Sequence, residues 1–89
     1  MQIWAGLGNP GASYAMNRHN VGFMAADVIA ETHGFGPWKV RFQGLASEGR
    51  IGSAKILLLK PQTFMNESGR SIRAATDFFK LEPDAVTTL

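Results

Sequence analysis

The stretch Gln2-Ile3-Trp4-Ala5-Gly6-Leu7-Gly8-Asn9-Pro10-Gly11 decides the fold class. Gln2 to Leu7 is a short apolar run, and Gly8-Asn9-Pro10-Gly11 stops it. Its length and turn-rich exit predict a buried strand rather than a helix. From Val21 the period changes: Val21, Met24, Ala25, Val28 and Ile29 recur at helical spacing. Asn20 stands where an N-cap belongs, and Gly34 offers a C-terminal stop. The chain therefore opens strand, loop, helix.

Further along, Phe42 to Ile51 reads as extended, Gly52-Ser53 as a turn, and Ala54 to Lys60 as a second strand pairing back in a hairpin. Pro61 ends that strand. A second amphipathic helix is expected from about Ser68, with Ile72, Ala75, Phe78 and Phe79 on one face. Leu81-Glu82-Pro83 closes it, because the residue before a proline avoids helical geometry. Ala85 to Leu89 reads as the beginning of another strand. The order strand–helix–hairpin–helix–strand implies an α/β fold. A core strand met only at its beginning leaves neighbouring backbone groups without partners, so the chain reads as part of a larger unit.

Composition narrows the chemistry. The 89 residues are 45% hydrophobic and 18% charged, which is globular. Nine Lys and Arg against seven Asp and Glu give a formal charge of +2, which permits contact with nucleic-acid phosphate without demanding it. The absence of cysteine excludes disulfides, thiolate metal sites and a cysteine nucleophile. Met1 to Leu7 lacks a basic leader and no run approaches the ~20 apolar residues of a membrane span, so a soluble cytoplasmic protein is expected.

Gly6-Leu7-Gly8-Asn9-Pro10-Gly11 fits the dinucleotide pattern G-x-G-x-x-G after a strand. The rest of that fingerprint is missing. Its third glycine should open a helix, yet Tyr14, Asn17 and His19 precede the helical period. The expected acid after a second strand is replaced by Asp27 and Glu31 on the first helix. A strand-to-loop turn needing flexible residues explains the glycines better.

Asn9 lies at the end of a strand, where open α/β sheets hold ligands; it also suits a turn asparagine bonding its own backbone. His19 precedes the first helix, whose positive end favours the neutral imidazole that a general base needs, or it is an ordinary residue at a helix start. His33, late in the same helix beside Gly34, suits the C-terminal carbonyls and is assigned no chemistry. The stretch Lys60-Pro61-Gln62-Thr63-Phe64-Met65-Asn66-Glu67-Ser68-Gly69 is a second strand-to-helix passage. Asn66 can bind through its amide, or Asn66 and Ser68 can serve as caps above a packed Phe64 or Met65. Taken together, Asn9, His19 and Asn66 all sit at strand-to-helix passages. One imidazole and two amides, with no metal site, suit hydrolysis by a base-activated water.

These segments resemble the bacterial-type peptidyl-tRNA hydrolase family. The matching pieces are Gly6 to Gly11, then Tyr14 with Arg18-His19-Asn20-Val21-Gly22, then Lys60-Pro61 through Thr63-Phe64-Met65-Asn66 to Ser68-Gly69. The resemblance extends over essentially all 89 residues, expected to be the N-terminal part of a single domain whose second half is absent. Asn17 stands where the family usually has threonine. The resemblance implies a mixed sheet with flanking helices, a phosphorylase/hydrolase-like three-layer architecture that is incomplete here. It implies hydrolysis of the ester joining peptide to tRNA, with no metal or organic cofactor, tRNA as partner, and a monomer. On that resemblance His19 activates the water, Asn9 reads the peptide portion, Asn66 holds substrate or water near the ester, and Tyr14 and Phe64 contact the tRNA 3′ end.

The family follows the Pro83-Asp84 region with a strand and a His-Asp-Glu-Leu-Asp-like segment, whose first aspartate orients the histidine. That segment, a further tRNA-contacting asparagine and a basic surface lie beyond these residues. Loss of an orienting aspartate costs about 10⁴ in rate in a related arrangement. The 89-residue chain is therefore expected to be impaired or inactive and poorly stable; the alternative is a non-catalytic remnant that binds tRNA ends.

Overall fold

The structure is a computed structural model, and it describes residues 1–7, 21–62 and 68–89. Along the chain run β1 (Gln2–Ala5), α1 (Val21–Thr32), β2 (Lys39–Arg41), β3 (Gly44–Ile51), β4 (Ala54–Pro61), α2 (Ser68–Phe79), a 3-10 turn at Pro83–Ala85, and β5 (Val86–Thr88). The strands form one sheet in the order β2-β3-β4-β1-β5. β1 lies parallel between β4 and β5, while β2, β3 and β4 are antiparallel. The α/β expectation holds, and the sheet is mixed.

β4 is the spine of the core. Ile56, Leu57, Leu58 and Leu59 are each at most 1% exposed, the near-continuous apolar run expected of a strand covered on both faces. Successive side chains alternate, and the register pairs Ile3 with Leu57 and Trp4 with Leu58. Ile3, Leu57 and Leu59 pack with Ala75 of α2, while Ile56 and Leu58 pack with Ala30 of α1. One helix thus covers each face, giving the expected three layers. Each buried Leu or Ile contributes about 1.5–3 kcal/mol.

The packing face of α1 differs from the expected one. Met24 is 42% and Val28 62% exposed, whereas Gly22, Ala26 and Ala30 are buried. Small residues at i, i+4 and i+8 let the helix axis approach the sheet closely, and that closeness outweighs the larger side chains one position away. α1 ends as expected: Gly34 takes φ +65° and the Phe35 N–H donates to the Ala30 carbonyl at 2.9 Å, a Schellman closure.

Three further expectations need correction. The stretch expected to be extended from Phe42 starts instead with a tight turn at Phe42-Gln43, and a short strand, β2, precedes it. Both turn residues have positive φ, 55° and 57°, the signature of a type I′ hairpin without its usual glycine or asparagine. α2 ends through Lys80 in the left-handed region, with the Leu81 N–H on the Thr76 carbonyl at 2.9 Å, not through Pro83. Of the face expected to be buried, Ala75 is fully buried with Ile72 and Phe79 packed beside it, whereas Phe78 is 64% exposed; Ser68 and Ser71 are buried as well.

Candidate active site

Asn9, Tyr14, His19, Phe64 and Asn66 lie outside the described residues. The structure does place the elements that deliver them. The segment carrying Asn9, Tyr14 and His19 runs between the end of β1 and the start of α1. The segment carrying Phe64 and Asn66 runs between the end of β4 and the start of α2. β1 and β4 are adjacent and parallel, with Ala5 opposite Leu59, so both segments leave from one edge of the sheet. The Gly6 N–H donates to the Leu59 carbonyl at 2.8 Å, and the Leu89 N–H to the Ala5 carbonyl at 2.8 Å. The C-terminal ends of β4, β1 and β5 therefore line up side by side, the edge where α/β sheets hold ligands.

Gly6 and Gly22 tie the flanks of the first segment together. A Cβ on Gly6 would lie 2.2 Å from the Gly22 carbonyl oxygen, and one on Gly22 would lie 2.3 Å from the Leu7 carbonyl oxygen. Neither position accepts any side chain. The first glycine of the G-x-G pattern is thus fixed by helix-on-strand contact, which needs no phosphate to explain it.

On the α1 side of the same edge, Lys60 Nζ sits 2.7 Å from Asp27 Oδ1 and 4.2 Å from the centre of the Trp38 ring. The Lys60 side chain is only 13% exposed, so its charge is held by one carboxylate and one aromatic face. Lys60 belongs to the second motif, but the sequence does not reveal its partners, because Asp27 lies 33 positions back on α1 and Trp38 in the loop before β2.

On the α2 side, the Phe42-Gln43 turn meets the second segment's flanks. The Gln62 N–H donates to the Gln43 carbonyl at 3.0 Å, and Ser71 Oγ donates to the Phe42 carbonyl. Arg41 stacks its guanidinium 4.6 Å above the Phe42 ring and lies 3.6 Å from Glu48. Among the described residues, no group of three His, Cys, Asp or Glu is placed to hold a metal ion, and no helix is long and apolar enough to cross a membrane.

Residues 3–89 match the family model described as peptidyl-tRNA hydrolase. The chain belongs to the peptidyl-tRNA hydrolase family. It is 71% identical over 87 residues to the peptidyl-tRNA hydrolase of Erythrobacter litoralis, covering 98% of this chain and 46% of that relative. For the peptidyl-tRNA hydrolase of Sphingopyxis alaskensis the identity is 70% over 87 residues, with the same coverage. Among solved structures it superposes on peptidyl-tRNA hydrolase from Acinetobacter baumannii with a TM-score of 0.90 and 36% identity, covering 99% of this chain and 45% of that one. The chain spans about half the length of the curated relatives it matches.

Proposed function

We propose that this chain supplies the water-activating half of a peptidyl-tRNA hydrolase, which cleaves the ester between peptide and tRNA and so frees tRNA for translation and stalled ribosomes for rescue. The family match over residues 3–89 carries this reading. The parallel β1–β4 pair supports it, because both motif-bearing segments leave from one sheet edge. In this reading His19 takes a proton from water as the water attacks the ester carbonyl. Asn9 pairs with the peptide portion through its amide, and Asn66 holds substrate or water beside the ester. Tyr14 and Phe64 stack on unpaired bases of the tRNA 3′ end. The reaction draws on no metal or organic cofactor, and the protein works as a cytoplasmic monomer.

Residues 1–89 are read as part of a single domain, because the relatives are about twice as long. Assayed without the half of the relatives' length that these residues do not cover, they are expected to engage the tRNA end and to turn over little or not at all.

The test is a chimera in which these 89 residues replace the matching part of the Erythrobacter litoralis relative, assayed on N-acetylated aminoacyl-tRNA. Turnover is expected, with His19→Ala lowering it by about 10²–10⁴-fold, the usual worth of a general base. A chimera that hydrolyses equally well without His19 rejects the mechanism. Salt-sensitive tRNA binding by the isolated chain with no hydrolysis by the chimera would leave only the tRNA-end-binding reading.

A further inference from the structure

Charge is unevenly spread over this chain. Lys39 pairs with Ala46 and Arg50 with Lys55, and Ala46, Glu48 and Arg50 alternate along one face of β3. Lys39, Arg41, Glu48, Arg50 and Lys55 therefore stand on the same side of the sheet as α2. Ala75 of α2 packs over Ala46, Leu57 and Leu59 of that face. The part beyond it is open: Lys39, Glu48, Arg50 and Lys55 are exposed and Arg41 is half-buried. Four cations thus share this area with one carboxylate. Taking those four from the nine Lys and Arg leaves five, and taking Glu48 from the seven Asp and Glu leaves six. The rest of the chain is slightly acidic, so the whole positive excess comes from this face.

Glu48 does not neutralise the group. Its oxygens lie 3.6 Å from Arg41 and 3.8 Å from Lys55, long for charge-assisted hydrogen bonds. Among the described residues, Lys39 and Arg50 make no ion pair. Lys39, Arg41 and Glu48 line one shallow depression, and Glu48, Arg50 and Lys55 line the next, so the patch is continuous. It starts at Arg41, beside the turn where Gly44 pairs with Pro61 at the candidate edge. It ends at Arg50 and Lys55, roughly 20 Å away along β3. The Arg41 end is fixed, because its guanidinium lies 4.6, 5.3 and 5.7 Å from the rings of Phe42, Phe78 and Phe79.

We propose that this face holds the phosphate backbone of the helical body of the tRNA substrate, away from the 3′ end that reacts. The inference rests on the functional reading given above, which supplies a polyanion reaching the candidate edge. A row of cations on an open surface matches a backbone with a charge every few ångströms, whereas a small anion needs only one enclosed pair. Guanidiniums meet phosphate oxygens through paired N–H donors and lysines as point charges, so both cation types serve. Such contacts fix the register and orientation of the RNA without reading its sequence.

The experiment measures binding of deacylated tRNA to the 89-residue chain from about 50 to 200 mM salt, with circular dichroism of every variant. Lys39→Gln with Arg50→Gln removes two exposed cations and breaks no ion pair among the described residues. It is expected to weaken binding about tenfold or more and to reduce the salt slope by about 1.8, or 0.9 for each phosphate lost. Arg73→Gln with Lys80→Gln removes the same charge from α2 and its end, and should leave that slope unchanged. Glu48→Gln should tighten binding severalfold, because it frees Arg41 and Lys55 and removes a charge that repels phosphate. The proposal is overturned if the two double variants weaken binding equally, since net charge then explains the loss. It is also overturned if Glu48→Gln fails to tighten binding, or if the chain is retained by anionic phospholipid vesicles and not by tRNA. If the chimera hydrolyses its substrate while the chain's variants bind tRNA alike, only the face is rejected. If the chimera does not hydrolyse and the wild-type chain does not bind, the functional reading falls with it.

Discussion

Gly6 and Gly22 meet backbone to backbone, with room for no side chain between the end of β1 and the first turn of α1. Gly22→Ala is therefore expected to cost about 3 kcal/mol or more, since the added methyl meets a carbonyl and not a movable side chain. Gly69, in the first turn of α2, has nothing within 4 Å of an added Cβ. Gly69→Ala should gain about 0.5 kcal/mol from helix propensity. Urea midpoints of the two variants, moving in opposite directions, check the pair.

The two helices end by the same left-handed turn with different residues, Gly34 after α1 and Lys80 after α2. Lys80→Gly should raise stability by about 1 kcal/mol, and Gly34→Ala should lower it by a similar amount. Both sites are exposed, so packing contributes little to either value. Equal midpoints for wild type and Lys80→Gly would contradict the assigned backbone.

Lys60 is mostly buried, whereas its partner Asp27 is 55% exposed. Water screens the carboxylate, so Asp27→Asn should cost about 1 kcal/mol, not the larger loss of a fully buried pair. Lys60→Met keeps the stem packed along Trp38 and should cost less. A double-mutant cycle measures the coupling, which should shrink at high salt. A coupling indistinguishable from zero at low salt would show that Trp38 alone holds the ammonium.

Ser47 and Ser68 are both buried but differ in their partners. Ser47 Oγ donates to the Gly36 carbonyl at 2.7 Å, whereas Ser68 Oγ has no hydrogen-bond partner among the described residues. Ser47→Ala should lose about 1 kcal/mol, while Ser68→Ala should be neutral or stabilising because it removes an unmet hydroxyl. Thermal or urea unfolding of the two variants distinguishes them directly. A loss at Ser68 matching that at Ser47 would show that this hydroxyl is satisfied in solution.

The sequence alone yields the order strand–helix–hairpin–helix–strand and the class of fold, but not the short strand β2. Turn residues and hydrophobic period are local signals, and a strand-length apolar run such as Ile56 to Leu59 can be recognised without knowing its neighbours. It also carries the family resemblance in three separated motifs, and the family match spans residues 3–89. The tertiary structure decided what depends on contacts between distant residues. α1 is apolar nearly all round, so its sequence could not show that Gly22, Ala26 and Ala30 face the sheet while Met24 and Val28 do not. Phe42 and Gln43 carry no turn signature; their left-handed geometry is imposed by Gln62, Ser71 and the Phe79 ring, all supplied by later elements. That Asn9, His19 and Asn66 belong to segments leaving one edge follows from the parallel pairing of β1 with β4. Pairing across more than 50 positions is a property of the packed sheet, since no local spacing encodes which strand becomes the neighbour.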